Sequence, residues 1–169
     1  MKKIALPILF ALTMAMTFSC ATNKTQEGAE AGDAQATVEA TSEGINLELN
    51  GDSDSNKAGG LQTIYFDFNS SKLRGDTRAA LDTNAGFLKE NGGVEVQVEG
   101  HCDERGGVQY NLALGEKRAK AVRDYLTAMG IESDRIKTIS FGKERPIAFG
   151  HSEDAWSKNR RGNFVVTKK

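Results

Sequence analysis

Two cysteines in 169 residues, Cys20 and Cys102, allow one bridge at most, so a disulfide-stapled scaffold is excluded. With only two histidines, no pairing of Cys and His has the spacing of a metal site. Charge of one sign is also missing: 22 basic residues face 23 acidic ones, for a formal net charge of −1. That balance gives no electrostatic footing for nucleic-acid binding. No internal repeat is present, and the length suits one domain, not all of it folded. Beyond the first twenty residues there is no long apolar run.

The one apolar run is Ile4 to Phe18, behind Lys2 and Lys3 and ahead of Ser19, Cys20 and Ala21. A basic start, a short apolar stretch and small residues are the layout of a secretory signal, too short for a stable membrane span. An uncleaved anchor is the rival reading. Cys20 looks like the lipidated cysteine of a bacterial lipoprotein signal, although Thr17 stands where an aliphatic residue is usual and Phe18 is bulky for its slot. Ordinary cleavage after Ala21, between small residues, competes with it. If Cys20 carries lipid, Cys102 is a lone thiol in an oxidising compartment.

Residues 21–60 contain no aromatic side chain, and their Lys24 and Lys57 face Glu27, Glu30, Asp33, Glu39, Glu43, Glu48, Asp52 and Asp54. Such a segment cannot offset the entropy of ordering, and it is expected to be a disordered acidic tether. Ile45, Leu47 and Leu49 alternate, which is too little for a strand assignment. As a flexible chain the tether would span roughly 35 Å root-mean-square, and fully extended about 130 Å. The expected division is therefore 1–19 signal, 20–60 lipidated cysteine and tether, 61–169 folded domain.

Within 61–169 the pattern predicts a strand over Thr63–Phe68, then a helix with Asp76 as N-cap that buries Leu81, Ala85 and Leu88. Asn91-Gly92-Gly93 stops that helix. Val94 to Glu99 alternates strictly and predicts a strand with one buried face. A second helix is expected over Gln109–Met129, with Ala119, Val122, Leu126 and Met129 as its core stripe and Gly130 at its end. A third strand, Lys137–Phe141, a short helix from a Ser152 cap to Asn159, and a last strand, Asn163–Thr167, complete the chain. Strands alternating with helices imply an α+β fold, a mixed sheet with helices packed on one face.

The candidate site is the loop Glu99-Gly100-His101-Cys102-Asp103-Glu104-Arg105-Gly106 and the helix after it. Asn111 and Arg118 are seven residues apart and share a helix face. Asp103 lies on the loop entering that helix, whose N-terminus adds N–H donors and positive partial charge. An acid beside an arginine can grip a ligand bearing both an ammonium and a carboxylate, the arginine with two parallel hydrogen bonds. The plainer alternative is that Asp103 and Arg118 pair with each other and bind nothing. His101 reads as a hydrogen-bonding loop residue, and Glu104 and Arg105 as solvated charges.

Taken together, Ile64-Tyr65-Phe66-Asp67-Phe68-Asn69, Gly100-His101-Cys102-Asp103, the run Leu114, Arg118, Ala119, Val122, then Phe141-Gly142-Lys143-Glu144-Arg145-Pro146 and Lys158-Asn159-Arg160-Arg161 resemble the OmpA C-terminal-like domains over nearly all of 61–169. The run Asp103-Glu104-Arg105-Gly106 with Tyr110-Asn111 looks most like the lipoprotein branch that works with the Tol system, and this favours lipidation at Cys20. The resemblance implies a βαβαβ(α)β sandwich that holds the diaminopimelate residue of peptidoglycan without covalent chemistry. In it Asp103 would bind the ammonium and Arg118 the carboxylate, with Asn69, Arg105 and Asn111 lining the pocket and Arg161 a further contact. It also implies an outer-membrane location facing the periplasm, a role in envelope integrity and cell division, and the periplasmic Tol propeller protein as partner. No cofactor, no metal and no nucleic acid are implied, and a monomer is expected. Two positions depart from the wider family: Gly115 stands where many relatives have Ser, and Cys102 replaces Thr or Ala.

Catalysis is not expected. His101, Cys102 and Asp103 are adjacent on an extended segment and point to opposite sides, which does not make a dyad. His151 has no elbow or oxyanion motif near it. A protein-interaction module of the same fold, without wall binding, is the alternative function.

Overall fold

The structure is a computed structural model and describes residues 46–169. The signal segment, the Cys20 lipidation site and the tether up to Ile45 lie outside the described residues. The elements are β1 (Ile64–Tyr65), α1 (Gly75–Glu90), β2 (Glu95–His101), α2 (Val108–Ala128), a 3-10 turn (Ser133–Arg135), β3 (Ile136–Gly142), α3 (Glu153–Asn159) and β4 (Arg161–Lys168). The strands form one sheet in the order β1-β4-β2-β3. β4 runs antiparallel to both β1 and β2, while β2 and β3 are parallel, the pairing that needs α2 as a crossover.

Val94, Val96 and Val98 bury their face as the alternation predicts, and Val96 and Val98 pair with Val166 and Phe164 of β4. Leu81, Ala85 and Leu88 of α1 and Ala119, Val122 and Leu126 of α2 close the same core. Past Val98 the alternation ends, and every residue from Glu99 to Asp103 is buried.

Four expectations are corrected. The first strand keeps only Ile64 and Tyr65 in the ladder; Phe66 adds one bond to the Arg160 carbonyl, and Phe68 is 57% exposed. Asp76 does not cap α1: it sits in the first turn, bonded to Arg74, which holds the cap position by backbone alone. Met129 lies just past the end of α2 and is 36% exposed, while Asn111, Gly115 and Arg118 are buried on that helix instead. Residues 46–60 belong to the folded unit. Ala58 is wholly buried, Leu47 bridges Ala58, and Asp52 bridges Val165 on the open edge of β4. Composition understates this segment because its backbone and polar side chains supply most of its contacts. Ser152 does stand before α3, but its carbonyl, not its hydroxyl, accepts from Ala155 and Trp156.

Candidate functional site

The loop leaving β2 is fastened by a backbone bond from Cys102 N to the Gly142 carbonyl, 2.7 Å. Asp103 comes next and is 4% exposed. Its Oδ1 accepts from the backbone N (3.1 Å) and Nε (3.2 Å) of Arg105. Its Oδ2 accepts from Arg105 Nη2 at 2.6 Å and Arg160 Nη1 at 3.3 Å. Burial pushes the Asp103 carboxyl upward, but the bonds and charge of Arg105, with Arg160 behind it, outweigh this and hold it below the usual range. The guanidinium carbon of Arg105 lies over two rings, 3.9 Å from the Phe68 centroid and 4.0 Å from the Trp156 centroid. Glu153 bonds Arg160 and lies 3.8 Å from Arg105.

Arg118 is fully buried and does not pair with Asp103. Its Nε donates to the Ser70 carbonyl (2.8 Å), Nη1 to that of His101 (2.7 Å) and Nη2 to that of Asp67 (2.9 Å). Nη1 also approaches Cys102 Sγ at 3.5 Å. Only one guanidinium N–H is left over, so the expected two-bond grip on a carboxylate by Arg118 alone is corrected: its donors pin two loops together. Burial pushes its pKa down from the ordinary arginine value.

The remaining predicted residues divide. Asn111 is buried and spends its amide group on the carbonyls of Arg105 (2.8 Å) and Gly107 (3.2 Å), and among the described residues no donor reaches its Oδ1. Asn69 adopts a left-handed backbone (φ 52) and accepts from the Tyr110 hydroxyl. Arg161 is not at this site: its Nε bonds Asp54 Oδ2 at 2.7 Å. The arginine that reaches Asp103 is its neighbour, Arg160. Arg160 is the C-cap of α3 and Arg161 begins β4, and the two side chains leave this junction in different directions, which sequence alone does not assign. Phe68, Tyr110 and Trp156 were also missed; Trp156 is the one tryptophan of the chain, a signal that was available.

A pocket of about 160 Å³ is lined by Asp103, Arg118, Asn69, Arg105 and Asn111, joined by Phe68, Tyr110, Leu114 and Arg160. A larger hollow of about 290 Å³ opens beside Arg74 and Asp76, but those charges bond each other in solvent and are poor anchors. The smaller pocket is lined by three guanidiniums (Arg105, Arg118, Arg160) and the Asp103 carboxylate, with Glu153 bonded to Arg160 behind the lining. This set suits a zwitterion. Cys102 is not a nucleophile candidate: it is 3% exposed, its thiol donates to the Asn111 carbonyl, and burial pushes its pKa up.

Gly100 and Gly115 let α2 lie directly on β2. A Cβ at Gly100 would fall 1.9 Å from the Gly115 carbonyl oxygen, and one at Gly115 would fall 2.3 Å from Ser140 Oγ. Ser140 donates to the Leu112 carbonyl at 2.7 Å, so it occupies the space that a serine at position 115 would need.

The profile of the OmpA family matches residues 65–160. A peptidoglycan-associated lipoprotein of Pseudomonas aeruginosa is 42% identical over 89% of this chain and 90% of its own length. One from Pasteurella multocida is 35% identical over 95% of this chain and 97% of its own. The crystal structure of the peptidoglycan-associated lipoprotein from Burkholderia pseudomallei superposes with a TM-score of 0.60 at 41% identity, covering 62% of this chain and 88% of that one. The fold, the loop-and-helix pocket and these matches agree: the chain belongs to the OmpA family, with peptidoglycan-associated lipoproteins among its relatives.

Proposed function

We propose that this chain is a peptidoglycan-associated lipoprotein of the bacterial envelope, anchored by lipid on Cys20 in the outer membrane and binding the diaminopimelate residue of the wall. The observation that carries this reading is the single pocket shared by Asp103, Arg118, Asn69, Arg105 and Asn111. The ligand's ammonium takes Asp103. Both oxygens of Asp103 are already engaged by Arg105, so Arg105 gives up part of that pairing to admit it. The carboxylate takes the remaining N–H of Arg118 together with the guanidinium of Arg105 or Arg160. Lysine-type walls lack that carboxylate and leave the guanidiniums unpaired, which disfavours them. Because the wall is a polymer, many such bonds on neighbouring molecules hold by avidity. The periplasmic Tol propeller protein is the proposed partner, in a system serving envelope integrity and cell division. The second reading, a protein-docking module, is favoured by the exposed rings of Phe68 and Tyr110 at the pocket rim, 57% and 53% exposed.

The test is co-sedimentation of the full-length chain in detergent with diaminopimelate-type sacculi. Wild type binds, and folded Asp103→Ala does not. Because the Asp103 carboxyl is held below its usual value, it stays ionised and binding is flat from neutral pH down to about 5. Binding then falls once pH drops through the depressed value. Retention of binding by Asp103→Ala would overturn the pocket assignment.

A further inference from the structure

Residues 46–60 form a closed loop: Glu48 N bonds the Lys57 carbonyl at 2.9 Å and Gly59 N the Asn46 carbonyl at 2.9 Å. β1 covers only the start of β4, at Arg161 and Gly162. The loop covers the strand edge beyond Gly162, with Asn50 N on the Val166 carbonyl, Val166 N on that of Gly51, and Ser53 N on that of Phe164. Two of its polar side chains, Ser53 and Asp54, then enter a buried network. Ser53 Oγ, in a residue 6% exposed, donates to Asn163 Oδ1 at 2.9 Å, and Asn163 Nδ2 donates to Glu99 Oε2 at 3.1 Å. Asp54 accepts from Thr63 Oγ1 at 2.8 Å and from Arg161 Nε at 2.7 Å.

Arg161 is 3% exposed, and among the described residues Asp54 is the one carboxylate within ion-pair distance of it. A buried guanidinium that loses its carboxylate is strongly unfavourable, so the seat of the loop and the position of Arg161 stand or fall together. Arg160, one residue back, holds Asp103 on the pocket side. The start of β4 is thus pinned between two carboxylates, Asp54 on one side and Asp103 on the other. A second route runs through Glu99 on β2 to His101, whose carbonyl accepts from Arg118.

We propose that Asp54 is a positioning residue for the pocket: residues 46–60 are a strap that, by fastening Arg161, orders the Asp103 loop on the far side of β4. What this does for wall binding rests on the function proposed above, since the strap is where the chain from Cys20 enters the domain and a pull on it would loosen the pocket. The coupling itself needs no ligand. Amide hydrogen exchange on the full-length chain tests it. In Asp54→Ala the amides of Ser53, Cys102 and Arg105 are expected to exchange about tenfold faster, with Val98 unchanged as the control for folding. Asp54→Asn keeps an oxygen for Thr63 but loses the charge; it should loosen the same amides less, and it serves if the alanine variant does not fold. By reciprocity, Asp103→Ala should speed exchange at Ser53. Strap amides that loosen while Cys102 and Arg105 exchange as in wild type would overturn the proposal. So would a strap indifferent to Asp103→Ala. Neither result depends on whether sacculi bind.

Discussion

The two ends of one sheet are built from different material. At one end β2 sets Val96 against Val166 and Val98 against Phe164, under Leu81, Leu126 and Val122. One residue further along, the same pair of strands sets Glu99 against Asn163 and Gly100 against Gly162, and burial continues through His101 and Asp103. The apolar end is held by contacts that have no direction, so it tolerates small shifts in shape. The polar end is held by hydrogen bonds that must each find a partner, so it fixes where loops lie. His101 is the exception at this end. It stacks on Phe141 with centroids 5.6 Å apart, its Nε2 lies 3.4 Å from Glu99 Oε2, and among the described residues neither ring nitrogen makes a hydrogen bond. Burial lowers its pKa, with Glu99 opposing and Arg161 assisting, so the ring is kept neutral.

The contrast predicts unequal mutations. Arg118→Leu strands the buried His101 carbonyl, at about 1–3 kcal/mol, and removes the donors to the part-buried carbonyls of Asp67 and Ser70 at less each, so the loss is on the order of 4 kcal/mol. Urea unfolding should show that loss, and the folded fraction should no longer bind sacculi. Leu126→Ala at the apolar end should cost about 3 kcal/mol by cavity formation. Its folded fraction should bind as wild type, because no loop depends on Leu126. Equal damage to binding from both would erase the distinction between the two ends. The smallest effect is expected outside both ends, at the exposed His151, whose pKa is raised by its bond to and the charge of Glu104. A raised folded value means the pair adds stability below about 6.5, the ordinary histidine value, and loses it as pH rises through the raised one. His151→Ala should therefore melt slightly below wild type near about pH 5.5, and the gap should close as pH rises through the raised value, by thermal unfolding.

Elements with a repeating apolar signal were legible in the sequence. The spacing of Leu81, Ala85 and Leu88, the alternation of Val94, Val96 and Val98, and the stop at Gly130 all hold in the structure. Periodicity reports burial against an apolar core, and it goes silent where burial is polar. The strap around Ser53 and Asp54 therefore read as tether, and the burial of Glu99, His101 and Asn163 left no mark in the pattern.

The motif residues Asp103, Arg118, Asn69, Arg105 and Asn111 were likewise identifiable from sequence, and they do line one pocket. Their bonds were not. Sequence places Asp103 and Arg118 near each other, yet Asp103 pairs with Arg105 and Arg160, and Arg118 with three carbonyls. What the sequence by itself determined is the order of elements, the apolar half of the core and five of the residues that line the pocket. The tertiary structure alone decided which arginine of the Arg160-Arg161 tandem faces the site and what Arg118 holds. A hydrogen bond is directional and satisfied over less than an ångström, and that precision exists only once β4, the loop and α2 have met.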